Sequence, residues 1–229
     1  MPAGDIKILE KVMNDISDVT DKFIILSIHD DVDILTPKEE KPKIIEVLKK
    51  HNFYGLINEP RPECLYYAEP QIQFFREPDF KPPNLAGIPK DIHYEDENGK
   101  LSGYKKCHID LQTGLFYKGL VAHNVLVPVD LKFQNYVYDT RIKTNDIWKY
   151  ILSPEAEVVH TVCRVIWDKK HTPPHYEERL DKSIDKCDFN KLSYAFEIAL
   201  FKFGKKALEL VKNKKFKNIF EEYITYIDY

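Results

Sequence analysis

The sequence predicts an α/β (α+β) protein with a mixed sheet and flanking helices, followed by a helical C-terminal region. Three observations support this prediction. Short β-prone runs dominate up to about residue 134, apolar residues recur at helical spacing after residue 139, and Asn98-Gly99 is a typical hairpin turn. We therefore expect an α/β core over residues 1–140 and a helical region over residues 141–229.

The N-terminal third predicts two helices around two strands. Apolar residues at helical spacing predict the first helix over about residues 5–18. The run at 23–26 and the alternation of Val32 and Ile34 predict two strands joined by a turn at 29–31. Thr36-Pro37 has the composition of a helix start, and this second helix should end near His51.

The remaining chain predicts further strands and then helices. Aromatic and β-branched runs predict strands near residues 64–67, 72–75, 104–111, 114–117 and 125–133. The proline-rich stretch 76–90 predicts a surface loop. Ser153-Pro154-Glu155 predicts a helix start, and later helices are expected over 176–186 and 191–226.

Composition excludes several classes of protein. With 34 basic and 37 acidic residues the net charge is -3, so a uniformly basic nucleic-acid binder is not expected. The four cysteines share no C-x-x-C spacing, so we expect free thiols in a reducing cytoplasm, with neither zinc site nor disulfides. We expect no signal peptide, because the first residues, MPAGDIKILE, lack a basic patch followed by an apolar core. We expect no membrane partner, because no apolar run approaches the roughly 20 residues of a transmembrane helix.

Three acids form the most informative pattern. Asp31 and Asp33 alternate with apolar residues and would share one face of a strand, while Asp110 lies between Ile109 and Leu111 in a later strand-like run. Carboxylates held close together repel one another unless a cation lies between them, and Mg²⁺ prefers such oxygen ligands. If the two strands are neighbours, the acids would form a metal site. The alternative is that Asp30 and Asp31 form a turn and that Asp33 faces solvent on an edge strand.

These motifs resemble the DNA polymerase β-like nucleotidyltransferase superfamily. In that family a D-x-D pair begins a strand and a third aspartate lies on a later strand, which match Asp31, Asp33 and Asp110 here. The stretch 152–180, LSPEAEVVHTVCRVIWDKKHTPPHYEERL, is similar to the family's helical part. The family's Gly-Ser pair, which binds phosphate about ten residues before D-x-D, is replaced here by Val19-Thr20-Asp21-Lys22.

The resemblance implies an enzyme that moves a nucleoside monophosphate from an NTP, such as ATP, to an acceptor. Mg²⁺ or Mn²⁺ would be held by the three aspartates, and the acceptor would be RNA, a protein or a small molecule. Candidate nucleotide contacts are Ser27, Arg164, Lys169 and Lys170.

Two alternatives remain open from the sequence. Asp110, Asp130 and Lys132 have the acid and D-x-K spacing of metal-dependent nucleases. The missing Gly-Ser pair is instead compatible with a non-catalytic binding protein on a degenerate nucleotidyltransferase scaffold. Separately, the lysines between residues 202 and 217, interleaved with phenylalanines, suggest either a solvated helix face, which we favour, or a nucleic-acid-binding patch.

Overall fold

The computed structural model describes residues 6–28, 32–51, 53–57, 72–76, 107–118 and 126–227. These residues form two compact units. The first takes its described residues from 6–57, 72–113 and 144–149, and the second from 114–143 and 150–227. The predicted strand at 64–67, the hairpin signal Asn98-Gly99 and most of the proline-rich stretch lie outside the described residues.

The first unit consists of two helices and a five-stranded mixed sheet. Its elements are α1 (Ile6–Val19), β1 (Ile24–Ile28), β2 (Val32–Leu35), α2 (Lys41–Lys50), β3 (Tyr54–Ile57), β4 (Ile72–Arg76) and β5 (Cys107–Gln112). Helix α1 confirms the helical spacing, because Leu9, Val12, Met13 and Ile16 are its buried residues. Helix α1, which carries this buried stripe, also packs against α2.

The strand order of this sheet is β3-β4-β5-β2-β1. Strands β1 and β2 form an antiparallel pair, and β2 pairs with β5 in parallel. Val32 and Ile34 are fully buried and lie in register with Ile109 and Leu111, which are also fully buried. Because alternate residues of a strand point to opposite faces, these four side chains make one face of the sheet apolar.

The start of α2 differs from the prediction. The helix begins at Lys41, four residues after Pro37, and Pro42 takes the place in the first turn that was expected for Pro37. Thr36 does not cap this helix: it is fully buried, and its hydroxyl donates a hydrogen bond of 3.0 Å to the carbonyl of Lys22. The predicted end is confirmed, since His51 is the C-cap.

The second unit is mainly helical. Its strands pair as two short hairpins, β6 (Phe116–Lys118) with β7 (Leu126–Pro128), and β8 (Ile142–Lys143) with β9 (Tyr150–Ile151). Its helices are α3 (Leu131–Thr140), α4 (Pro154–Cys163), α5 (Pro174–Ile184), α6 (Phe189–Leu200), α7 (Gly204–Lys212) and α8 (Ile219–Ile227). The predicted start of α4 is confirmed, because the Ser153 hydroxyl accepts a hydrogen bond from the amide of Ala156 at 3.3 Å.

Helix α3 corrects the expected strand at 125–133. The strand β7 ends at Pro128, and Asp130 then caps a helix whose buried residues are Phe133 and Val137. This helix packs against α4 and α6, so residues 114–143 belong by their contacts to the helical unit. By its contacts the helical unit therefore begins at Gly114 and excludes Thr144–Lys149, whereas the sequence pattern places the boundary after residue 140.

The C-terminal helices are short and closely packed. Where one or two helices were expected over 191–226, the structure has α6, α7 and α8 joined by single 3-10 turns at Phe201–Phe203 and Phe216–Asn218. Helix α7 begins at Gly204, where an added Cβ would lie 2.5 Å from the carbonyl oxygen of Phe196. The helix backbones therefore approach each other too closely for any other residue without rearrangement. Among the residues that the structure describes, no helix has both the length and the apolarity to cross a bilayer.

Candidate metal and nucleotide site

The sheet of the first unit brings Asp33 and Asp110 together. The two residues are direct partners on the adjacent parallel strands β2 and β5. Adjacent strands are about 4.8 Å apart, and in-register residues of a parallel pair point to the same face. Both side chains are nearly buried, with Asp33 7% and Asp110 6% exposed. The alternative of an exposed edge-strand acid is therefore wrong for Asp33.

Ser27 extends the same polar row. It lies opposite Asp33 on β1, after a register shift between Ile25 and Ser27. Directly opposed residues of an antiparallel pair share a face, so Ser27, Asp33 and Asp110 form a row across three neighbouring strands. We call these three residues the acid row. Ser27 is half-buried, and its hydroxyl can both donate and accept hydrogen bonds.

The chemistry of the acid row suits a hard cation. Two carboxylates at adjacent positions in a poorly hydrated place repel each other, and a divalent cation or hydrogen-bond donors must compensate. Their oxygen atoms are ligands that Mg²⁺ and Mn²⁺ accept. Asp31, the third predicted ligand, lies outside the described residues. Within the described part of the chain, no group of three acidic, histidine or cysteine side chains is placed to hold a metal ion.

The other candidate nucleotide contacts lie in the second unit. Arg164, Lys169 and Lys170 belong to the end of α4, which continues as a π-helical segment over Arg164–Lys169. The Arg164 guanidinium lies 3.3 Å from a carboxylate oxygen of Asp168 and 5.9 Å from the centre of the Tyr176 ring. The Arg164 guanidinium therefore interacts with Asp168 and Tyr176 of the second unit. Lys169 is exposed, and Lys170 closes the segment in the left-handed conformation. Phosphate binding by the three remains a prediction.

The D-x-K pattern does not form a strand-borne nuclease motif. The Asp130 carboxylate accepts a hydrogen bond of 2.7 Å from the amide of Lys132 and caps α3. Lys132 is an exposed residue in the first turn of that helix. The spacing that suggested a metal site is explained by helix capping, because an aspartate at this position satisfies amide groups that have no partner within the helix.

We expect Asp130→Ala to destabilise the protein without changing any activity of the acid row. Loss of a side-chain cap should cost about 1 kcal/mol of unfolding free energy, measured by urea denaturation. Asp130→Ser keeps a capping oxygen and should restore most of the stability. Loss of activity in both variants would instead point to a catalytic role for Asp130.

The sequence did not reveal a buried tyrosine–histidine pair in the second unit. The Tyr117 hydroxyl lies 2.6 Å from Nδ1 of His160, and both side chains are buried. The two residues are 43 positions apart, so no local pattern could pair them. Burial, followed by the charges of Arg164 and Arg179, lowers the pKa of His160 well below its usual 6.5. Burial likewise raises the pKa of Tyr117 well above 10.0.

This pair predicts acid sensitivity. Below pH 6.5 the unfolded chain protonates His160 while the folded protein resists the proton, so unfolding takes up a proton. The unfolding free energy should be independent of this residue above pH 6.5 and should fall by up to about 1.4 kcal/mol per pH unit below it. His160→Gln should lack this component in urea titrations between pH 5 and 8. Parallel slopes for the two proteins would contradict the burial of a neutral imidazole.

Comparisons of the chain with protein-family models, with curated proteins and with solved structures give no match. The structure itself shows a mixed α+β architecture with a buried pair of aspartates on adjacent strands. The functional interpretation therefore depends on the geometry and chemistry of that site.

Proposed function

We propose that the first unit is a metal-dependent nucleotidyltransferase. The observation that carries the proposal is the in-register pairing of the buried Asp33 and Asp110 on neighbouring parallel strands. This pairing meets the condition under which the two acidic motifs of the sequence would act together. The resemblance to the polymerase β-like superfamily supports the same class of reaction.

The proposed reaction joins an acceptor hydroxyl to the α-phosphorus of an NTP. The bond between the α-phosphorus and its bridging oxygen breaks, pyrophosphate leaves with the electron pair, and the hydroxyl proton is released. Bound Mg²⁺ or Mn²⁺ would supply charge neutralisation for the triphosphate. Asp33 and Asp110 would hold the cation, and Asp110 would also help to remove the proton from the hydroxyl.

Two further residues have supporting roles in this proposal. Ser27 would donate its hydroxyl to a phosphate oxygen beside the carboxylates, since it occupies the same face of the sheet. Asp31 would complete the ligand set, as the spacing of the D-x-D pair suggests. The identity of the base and of the acceptor is open to RNA, protein and small molecules.

The test is a transfer assay with each of the four α-³²P-labelled NTPs. The full chain is incubated with Mg²⁺ or Mn²⁺ and with total RNA, cell extract or small-molecule hydroxyl acceptors. Label that is transferred by the native protein and by Asp130→Asn, but not by Asp33→Asn, is the expected result. Absence of transfer to every acceptor, with correctly folded protein and bound metal, would favour the non-catalytic scaffold.

A further inference from the structure

The hairpin of α6 and α7 carries an excess of positive charge in a protein of net charge -3. Between residues 189 and 212 there are five lysines and two glutamates, Glu197 and Glu209. The lysines of the C-terminal run differ in whether they form ion pairs. Lys206 pairs with Glu222 at 3.3 Å, Lys214 with Asp181 at 2.6 Å, and Lys217 with Glu177 at 3.8 Å.

Other lysines of the run are placed differently. Lys202 and Lys205 are exposed, and no ion pair within 4.0 Å joins either to an acid of the described chain. The ammonium of Lys212 lies 4.8 Å from the centre of the Phe189 ring. Lys205 and Lys212 are seven residues apart on α7, so they share one face of that helix, with the exposed Glu209 between them.

Two large aromatic rings are exposed at the two ends of α6. Phe189, the first residue of α6, is 44% exposed, and Phe201, just after the last residue of α6, is 62% exposed. Twelve residues of helix separate them by about 18 Å. We call Phe189, Phe201, Lys205 and Lys212 the aromatic–lysine stripe.

The backbone at Phe201 is strained. Its φ of 51° and ψ of -125° are rarely adopted by a bulky side chain. The packing around it maintains this conformation: Phe203 is buried against Tyr223 at a ring distance of 5.0 Å, and Gly204 lies against the Phe196 carbonyl. Such strain persists where the surroundings impose it and is concentrated at functional positions. Here it leaves an apolar ring exposed to solvent, next to the exposed Lys202 in the chain.

Exposed rings and exposed lysines on one helical hairpin match the chemistry of single-stranded nucleic acid. Unpaired bases stack on aromatic rings regardless of their sequence, and lysines attract the phosphates that join them. In a duplex the base faces are stacked on one another, so only its phosphates could interact, and they would interact with the lysines. We propose that the aromatic–lysine stripe is a binding site for single-stranded nucleic acid. This proposal goes beyond nucleotidyl transfer and does not require it.

The experiment measures fluorescence anisotropy of a labelled single-stranded RNA of about 12 nucleotides, with matched single-stranded DNA and duplex. The full chain is titrated in about 50 mM salt with EDTA and without NTP, so failure here is separate from failure of nucleotidyl transfer. We expect both single strands to bind and the duplex to bind at least tenfold more weakly.

The variants separate stacking from charge. Phe201→Ala and Phe189→Ala should each weaken binding about tenfold, and the second alters no strained backbone position. Lys205→Gln/Lys212→Gln should weaken binding and lower the slope of log K against log salt by roughly 1.4. The control Lys214→Gln/Lys217→Gln loses the same charge from the same run and should bind within about twofold of the native protein.

Three results would overturn the proposal. The first is that neither single strand binds at concentrations below about 100 μM. The second is that the duplex binds as tightly as the single strands and neither phenylalanine variant changes the affinity. The third is that the control variant loses as much affinity as the Lys205/Lys212 variant. Circular dichroism and thermal melts of each variant identify any loss that comes from unfolding. If one phenylalanine variant does not fold, the other and the lysine variant decide.

Discussion

Replacing Asp33 or Asp110 by Asn is expected to lower the rate of nucleotidyl transfer roughly a thousandfold or more. Asparagine preserves the shape of the side chain but removes its charge, so the cation and the triphosphate lose their principal compensation. Since both carboxylates act on one site, the double variant should be little worse than the more damaging single variant. Both residues are nearly buried, so the change alters the site without exposing new surface.

Metal binding provides a readout that does not depend on activity. Mn²⁺ should raise the melting temperature of the native protein, because a ligand that binds only the folded state stabilises it. The rise should be absent from Asp33→Asn and Asp110→Asn and unchanged in Asp130→Asn. Equal stabilisation of all four proteins would show that the cation binds elsewhere and would remove the acid row from the mechanism.

Gly204→Ala is expected to destabilise the protein by roughly 2–3 kcal/mol. Helix propensity alone predicts the opposite sign, because alanine in a helix is more favourable than glycine by about 1 kcal/mol. The close approach reverses this expectation: the new Cβ would lie 2.5 Å from the carbonyl oxygen and 2.7 Å from the carbonyl carbon of Phe196. These are backbone atoms, so α6 and α7 must separate to make room.

The measurement is the midpoint and slope of urea denaturation, with Glu209→Ala as the control. Glu209 is an exposed residue of the same helix, so its replacement should change the unfolding free energy by no more than about 0.5 kcal/mol. A stabilised Gly204→Ala protein would mean that the two helices are not in the described contact.

Local sequence patterns predicted some elements correctly and others wrongly. Helix α1 and the Ser153 start of α4 are confirmed by burial and capping. The strand expected over 125–133 is confirmed for Leu126–Pro128 and wrong beyond it, because Asp130 caps a helix that begins at Leu131. The prediction that Thr36 caps α2 was wrong, because its hydroxyl donates a hydrogen bond to the carbonyl of Lys22, 14 residues away.

The acid row was predicted in part from local sequence and determined in part by the fold. The D-x-D spacing and the apolar neighbours of Asp110 could be read from the sequence, as could the condition that their strands must be adjacent. The adjacency itself, the register of Asp33 with Asp110 and the position of Ser27 opposite Asp33 came from the fold. The role of the three residues in nucleotidyl transfer remains a prediction.

Spacing along the chain is sufficient for elements whose periodicity and caps depend on residues within one or two turns. It predicted most helices, the two N-terminal strands and a mixed α+β class. Strand register, the Tyr117–His160 pair, the contact at Gly204 and the exposure of Phe201 depend on residues that meet only after the chain has folded. Packing and hydrogen bonding between distant segments select among conformations that local propensity leaves nearly equal in energy, so the tertiary structure alone decides them.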